Sequence, residues 1–513
     1  MNYRKISATA ALAVLVPLAF APDPMLADKA SNILRVAGSE DPSSLDPAGG
    51  VASTDTAYLY TIYDRLLQFD NETLEPVPML AKTFEWENDF KTLVLVLNED
   101  VTFHDGAAFD AAAVKTYIEY YKAANRNRDL DPITSVEVRG PYTVALHTDA
   151  PYAVLPSVLA DRAGMVVSPQ AIAEFGHEAL GTNPVGAGPF KLVSWEPGNK
   201  VEVEAFDAYW REDIPKLSGI TFLNIANATA RISALMGGQV DFVERIDPVN
   251  IPVIERNPNL RYRIDPTLAF SALNLNTAMA PFDDKKVRQA LAYSIDREAI
   301  GKLSYGADVP ASPANLIVPD NYWPSTEELQ GTYTYQPETA KALLAEAGHP
   351  DGVAFTMCTP PTFASGSVPT DKVSDLMREQ MKAAGFTLNL ERKASIGACI
   401  EAFNGDKAMP ALIIGWSGRP APYMTYSSLL AARSPFNPGG TDYGAGDLLE
   451  SLKLPATREE LEAIYDELNA IWIDEMPWLP IFYTQTVSAF GPDVAGEMPN
   501  LAAKWDVTSF YFE

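Results

Sequence analysis

Apolar positions between Val185 and Val243 change their period twice. Phe190 to Trp195 and Lys200 to Phe206 are apolar, β-rich runs on either side of Glu196-Pro197-Gly198-Asn199. Pro presets φ in that linker and Gly and Asn tolerate φ > 0, so the stretch predicts a hairpin. Leu217 to Ile225 predicts another strand. Asn227 then caps a helix whose Ile232, Leu235 and Met236 share one face, and Gly237-Gly238 ends it before Val240 to Val243 resumes extended chain. Strand, helix and strand in this order predict a parallel βαβ unit.

Upstream, Ile33 to Ala37 predicts a strand leading into a loop from Ser39 to Pro47, stiffened by Asp41-Pro42 and Asp46-Pro47. Thr54 to Leu67 predicts a helix carrying Tyr58, Tyr60 and Tyr63. Residues 76–185 hold their own hydrophobic supply: strands Ala81 to Trp86 and Thr92 to Leu97, a turn from Val101 to Gly106, a helix from Ala111 to Tyr121, strands Ile133 to Val138 and Tyr142 to Leu146, and helices near Pro151 to Leu159 and Pro169 to Phe175.

Downstream, Leu260 to Ile264 and Phe270 to Leu275 predict two strands. Asp284 opens a helix with Val287, Leu291 and Ile295 at core spacing, and Asp296 caps a second. From Ala340 onward helices and strands alternate (strands Val353 to Met357, Phe386 to Leu390 and Pro410 to Gly415), which means a parallel sheet wrapped by helices. Helices from Asp447 to Lys453 and Arg458 to Asp474 follow, and Pro480 to Tyr483 and Val487 to Phe490 carry the chain back. The predicted division is 28–75 for the first part of lobe I, 76–185 for an inserted subdomain, 186–276 for the second part of lobe I, 277–484 for lobe II and 485–513 for a return to lobe I. Repeated crossings between two lobes place a ligand site in the cleft at their junction.

The Gly186-Ala187-Gly188-Pro189-Phe190 run, the Asp207-Ala208-Tyr209-Trp210 step and the helix exit Ala230-Arg231-(x)3-Leu235-(x)2-Gly238-(x)2-Asp241 resemble the extracytoplasmic solute-binding proteins of the dipeptide, oligopeptide and nickel ABC-transport family. So do the Leu45-Asp46-Pro47 loop, the Phe103-His104-Asp105-Gly106 turn, and Pro281-Phe282-Asp283-Asp284 with Val287 to Glu298 after it. Asn98, where that family usually has a basic residue, and Ala111-Ala112-Ala113-Val114, where acidic residues are usual, read as lost surface charges. The resemblance covers essentially all of the chain after its leader. It implies an α/β fold like the type II periplasmic binding proteins, two lobes with a hinge and an extra subdomain inserted in the first. It also implies capture of a small-molecule or peptide ligand for the permease subunits of an ABC transporter in the inner membrane, by a monomer that needs no cofactor.

At 513 residues the chain is long enough for more than one core. Its formal net charge of -28 argues against a nucleic-acid or anionic-membrane partner, because no basic patch offsets the repulsion. Arg4 and Lys5, the apolar run Ala8 to Ala21 and small residues up to Ala27 predict a secretory signal peptide over residues 1–27, too short to span a membrane. Pro22 opposes cleavage after Ala21, so Ala27/Asp28 is the expected site, and no Cys stands there to be lipidated. The expected location is therefore the periplasm. Cys358 and Cys399 are the two cysteines, and both are expected just past the carboxyl ends of strands in one sheet. An oxidising compartment permits them to pair, and a disulfide and two buried thiols both remain open.

His104-Asp105 lacks the second His or Asp cluster that metal chemistry requires, and Pro189 with a strand behind it contradicts a dinucleotide reading of Gly186-Ala187-Gly188. Four histidines and the lack of any nucleophile or metal motif give catalysis nothing to stand on, so a secreted hydrolase on this scaffold is the disfavoured alternative. The candidate site is the loop Gly415 to Tyr423, which follows a predicted parallel strand and so lies where α/β sheets bind ligands. Trp416 offers a face for stacking, and Arg419 a fork for a carboxylate. Tyr423, Phe363, Asn276, Ser43 and Asp46 complete the candidate lining, while Trp195, Tyr209 and Trp210 read as structural. In the dipeptide binders that this chain resembles, an Asp-Pro after the Trp loop holds the ligand's ammonium group. Here Ala421-Pro422 stands instead, which points to a carboxylate-bearing solute, with a metal chelate, an opine or a sugar-derived solute as alternatives.

Overall fold

The computed structural model describes residues 31–50, 53–126, 128–306, 311–319, 327–361, 370–404, 409–434, 436–496 and 506–513. The predicted leader and Phe363 lie outside them. Ten strands form one sheet: β1 (Ile33–Gly38), β2 (Phe190–Glu196), β3 (Lys200–Ala205), β4 (Gly219–Asn224), β5 (Phe242–Val243), β6 (Arg261–Leu275), β7 (Val353–Thr359), β8 (Phe386–Arg392), β9 (Ala411–Trp416) and β10 (Trp478–Phe490). Their order across the sheet is β8-β7-β9-β6-β10-β5-β1-β4-β3-β2. The predicted βαβ unit is present, with β1 inserted between β4 and β5 and parallel to both. Asn227 caps the intervening helix by accepting from the Ala230 amide. Met236, expected on that helix's buried face, is 49% exposed, whereas Ile232 and Leu235 are buried.

Two strands were expected at Leu260 to Ile264 and Phe270 to Leu275, and two more at Pro480 to Tyr483 and Val487 to Phe490. Each pair is one long strand, β6 and β10. These two run antiparallel through both halves of the molecule, with register shifts between Pro266 and Phe270 and between Ser271 and Ala272. The cores divide within them. Leu268 packs in the core built on β1 to β5 and the insertion, and Val487 and Ala489 in a smaller cluster beside it, whereas Phe270 and Tyr483 pack in a second core with β7 to β9.

The insertion contains an antiparallel sheet in the order Ala81–Glu87, Thr92–Leu97, Thr143–Thr148, Ile133–Gly140, covered by the helix Ala111–Ala124. Ala111, Ala113 and Val114 lie on the buried face of that helix and Asn98 donates to the Met79 carbonyl at 2.6 Å, so of these positions only Ala112, which is exposed, stands where a surface charge would. The first helix is Thr56–Ile62, shorter than expected because Gly188 donates its amide to the Ile62 carbonyl and Tyr63 turns extended. A Cβ on Gly188 would sit 2.5 Å from the Ile62 carbonyl carbon, so the glycine is there for backbone approach.

The same segment is tied to the turn at His104. The His104 amide donates to the Gly186 carbonyl at 2.9 Å, and its Nε2 lies 2.9 Å from the Gly188 carbonyl. Burial pushes the His104 pKa down to about 4. The ring is therefore neutral near pH 7, and because a carbonyl can only accept, Nε2 carries the proton. Behind this clasp, Trp210 Nε1 donates to Asp64 at 2.6 Å and the Tyr209 hydroxyl at 3.1 Å, which gives both aromatics the structural work expected of them. Burial raises the Asp64 carboxyl to about 6 despite these bonds and the nearby Arg65.

Cys358 and Cys399 form a disulfide, their Cα atoms 5.6 Å apart. Cys358 lies inside β7 rather than past its end, and Cys399 on an unanticipated helix, Ile396–Asn404. Among the described residues no helix is long and apolar enough to cross a membrane.

Gly188→Ala should lower stability by about 3 kcal/mol or more, because the clash is with backbone. Gly198→Ala, at φ +79° with open space around it, should cost only about 1–2 kcal/mol. Equal losses in thermal melts would show that the close approach at Ile62 does not constrain the fold. Asp64 binds its proton more tightly folded than unfolded, so its contribution is complete below pH ~3.8 and is lost as pH rises through about 6. Relative to Asp64→Asn, the parent protein should lose up to about 3 kcal/mol across that window. Parallel pH-stability curves for the two proteins would mean that Asp64 is already ionised there.

Candidate ligand-binding site

Strand direction aims both halves of the sheet at one place. Val243 at the end of β5 pairs with Ala489, and Ala489 with Tyr262, so β1, β4 and β5 point their carboxyl ends along β6 toward its middle. β9 runs the opposite way and ends with Trp416 paired to Phe270. The carboxyl edges of the two halves therefore face each other across the register break between Pro266 and Phe270. Ligands bind at such edges in open α/β sheets. The loops that follow close in on the break. The Ile246 amide donates to Val487, the partner of Ile264, and a Cβ on Gly418 would lie 2.7 Å from the Leu268 Cβ.

On the second half, the Gly415 to Tyr423 loop leaves β9 at this gap: Trp416 pairs with Phe270, Gly418 packs on Leu268, and Arg419 follows it. Trp416 is 6% exposed, edge-on to Phe436 at 5.1 Å and to Trp478 at 5.9 Å, and its Nε1 has no hydrogen-bond partner. Its ring is thus mostly core, with one polar atom unspent. Arg419 is exposed, its guanidinium carbon 5.9 Å from the Trp416 ring centre. Tyr423 begins the helix Pro422–Leu430, and its amide donates to the Tyr465 hydroxyl. Burial raises the Tyr152 phenol of the insertion, and neighbouring Tyr423 adds to that rise. Beside them the Ala153 amide donates to the Lys453 carbonyl at 2.8 Å, so the insertion touches the second half here.

The other candidates are spent on local structure. Ser43 donates from its amide and hydroxyl to Asp55, at 2.6 and 2.8 Å. Asp46 is 1% exposed and accepts from the Tyr120 hydroxyl at 2.7 Å and the Ala48 amide at 2.9 Å. Asn276 follows β6 at the end remote from the break, where its Oδ1 accepts from the Ala278 amide. Sequence reasoning missed Glu244 and Arg245, which leave β5 at the carboxyl edge. Arg231, part of the helix-exit motif, donates to the Ile225, Ala226 and Arg245 carbonyls and so ties the ends of β4 and β5 together.

A cavity of about 1150 Å3 lies at the opposite end of the first half, lined by Arg65, Arg211, Lys216, Arg261 and Arg263. Gly496 and Asp506 border it, and the chain between them lies outside the described residues, so we assign it no ligand. Among the described residues no group of three or more His, Cys, Asp or Glu side chains is arranged to hold a metal ion.

Residues 75–437 match the model for bacterial extracellular solute-binding proteins, family 5 Middle. The glutathione-binding protein GsiB of Salmonella paratyphi A is 28% identical over 489 residues, spanning 90% of this chain and 92% of its own length. Two solved structures share the fold. AgaA from A. tumefaciens R10, in complex with agropinic acid, matches with a TM-score of 0.80 at 23% identity over 94% of this chain and 99% of that one. DppA from Helicobacter pylori, in complex with the peptide STSA, matches with a TM-score of 0.80 at 23% identity, covering 94% and 98%.

Proposed function

The chain belongs to the bacterial extracellular solute-binding proteins of family 5, and from that premise we propose that it is the periplasmic substrate-binding component of an ABC importer. It captures a peptide-like or carboxylate-bearing small solute between its two lobes and delivers it to permease subunits in the inner membrane. The observation that carries this reading is the convergence of two carboxyl edges on the register break in β6, with the Trp416 to Arg419 loop set against Leu268. Solute bound there contacts both lobes, so it biases an open-to-closed equilibrium about that break. No chemical step is implied.

Arg419 is the carboxylate's partner, exposed at the edge, and Trp416 supplies the wall beside it. Tyr423, next to Tyr152, closes the side of the cleft where the insertion meets the second lobe. The relatives named for glutathione and agropinic acid bind carboxylate-bearing solutes, which supports the same chemistry here. Cleavage between Ala27 and Asp28, with no cysteine to lipidate, leaves the mature protein free in the periplasm.

Protein stripped of cargo by unfolding and refolding should be stabilised by about 2.7 kcal/mol by a cognate solute at about 100 times its Kd. A thermal-shift screen of peptides, glutathione, opines, oligosaccharides and metal chelates checks this, and shifts confined to uncharged oligosaccharides would overturn the carboxylate assignment. Arg419→Ala should weaken the best carboxylate-bearing solute by about 1.5–3 kcal/mol, read by titration calorimetry. Unchanged affinity would remove Arg419 from the site.

A further inference from the structure

On the first lobe, the cleft edge presents a carboxylate with little to hold. Glu244 is the first residue after β5, its side chain 17% exposed. Among the described residues its carboxylate accepts no hydrogen bond, and its one ion pair is with Arg245 Nε at 3.5 Å, beyond good hydrogen-bond geometry. Neighbouring cations do not complete it, since Arg231 is spent on three carbonyls. Burial raises the Glu244 carboxyl above the ordinary range, and Glu40 pushes the same way, against the pull of Arg245 and Arg231. Gly38, at the end of β1, keeps the approach open. A Cβ there would meet Tyr58 Oη at 3.7 Å and Glu244 Oε2 at 3.8 Å, which is ordinary contact, so neither a clash nor a positive φ requires this glycine.

We propose that Glu244 is the cleft's anchor for a cationic group of the solute, opposite Arg419, so that the cognate ligand is a zwitterion whose ammonium and carboxylate are held by different lobes. This rests on the interlobe cleft proposed above. The spacing bounds the size of the ligand. Ile264, level with the chain after Glu244, pairs with Val487, and Phe270, level with Trp416, pairs with Tyr483, so along β10 the two levels are only about 13 Å apart. The Glu and Arg side chains reach into that span, so the solute is a small zwitterion, between an amino acid and a short peptide in length. The amine anchor missing at Ala421-Pro422 is in this way supplied from the other lobe.

The test is titration calorimetry on the stripped full-length mature protein, with a set of free tripeptides, glutathione, their N-acetylated forms, single amino acids and simple dicarboxylates. The proposal expects at least one small zwitterion, an amino acid or a short peptide, to bind, and to lose about 10- to 100-fold in affinity both on N-acetylation and in Glu244→Gln. The isosteric Glu244→Gln should melt within about 1 °C of the parent without ligand, and Gly38→Ala, a substitution with room for its methyl group, should weaken the same zwitterion without unfolding the protein. Binding that ignores N-acetylation and Glu244→Gln, or binding of dicarboxylates alone, overturns the Glu244 anchor while leaving capture in the cleft intact. Failure of every charged solute overturns the proposal together with the carboxylate reading beneath it.

Discussion

Everything in this molecule is hung on one antiparallel strand pair. β6 and β10 belong to both cores, so the two bodies that the proposed capture would move relative to one another share a hydrogen-bonded ladder. A continuous ladder would resist bending, because turning one lobe would break bonds in register. The chain interrupts the ladder at the crossing. Pro266 brings no amide, and the register shifts before Phe270. Hydroxyls replace the missing rungs: Thr267 Oγ1 donates to the Thr484 carbonyl at 3.0 Å and accepts from the Ala269 amide, while Thr484 Oγ1 donates to the Ala269 carbonyl at 3.2 Å. Hydroxyl groups can rotate as the backbone turns, so this short stretch stays bonded while its dihedrals change. The same register fixes where the carboxyl edges aim, which makes the hinge and the ligand gap one feature.

A second constraint holds the insertion in place. The Gly186 to Phe190 run and the His104 turn are far apart in sequence, yet they form one clasp in which backbone meets backbone and a neutral imidazole bridges. A charged ring in this buried place would be costly, and the depressed pKa keeps the clasp the same across the range in which a free His would titrate. The insertion then reaches over to Lys453, so its position helps set the width of the gap.

Local sequence signals carried most of the elements, and they failed where a partner far along the chain decides. The first helix stops at Ile62 because Gly188 takes its carbonyl, and no residue near Ile62 announces this. Pro266 reads as a break between two strands, yet it sits inside one strand, at an irregularity that pairing with β10 defines. Alanines 111 and 113 looked like lost surface charges because which face of their helix is buried is not written in residue type. The place of Trp416 and Arg419 at the end of β9 was legible because a strand-then-loop pattern already implies a carboxyl edge. Glu244 obeys the same rule, but only the parallel pairing of β5 with β1 shows that its strand ends at that edge. Ser43, Asp46 and Asn276 illustrate the usual fate of short polar side chains in turns, whose oxygens go to nearby donors first.

The charge balance bears on which solutes such a cleft can take. A net charge of -28 repels anions at long range, but the field of exposed charges falls off within about 8 Å at physiological ionic strength, so groups inside the gap decide the outcome. A pure anion held by Arg419 would gain the same contact whether the lobes were open or closed, and equal affinity for two states shifts neither. A solute with both charges is different. Its carboxylate meets Arg419 on one lobe and its cationic group meets Glu244 on the other, and both contacts are complete only when the lobes approach. Splitting the two anchors between lobes is what would let binding drive closure, and a zwitterion also arrives without the monopole repulsion that the acidic surface imposes on an anion.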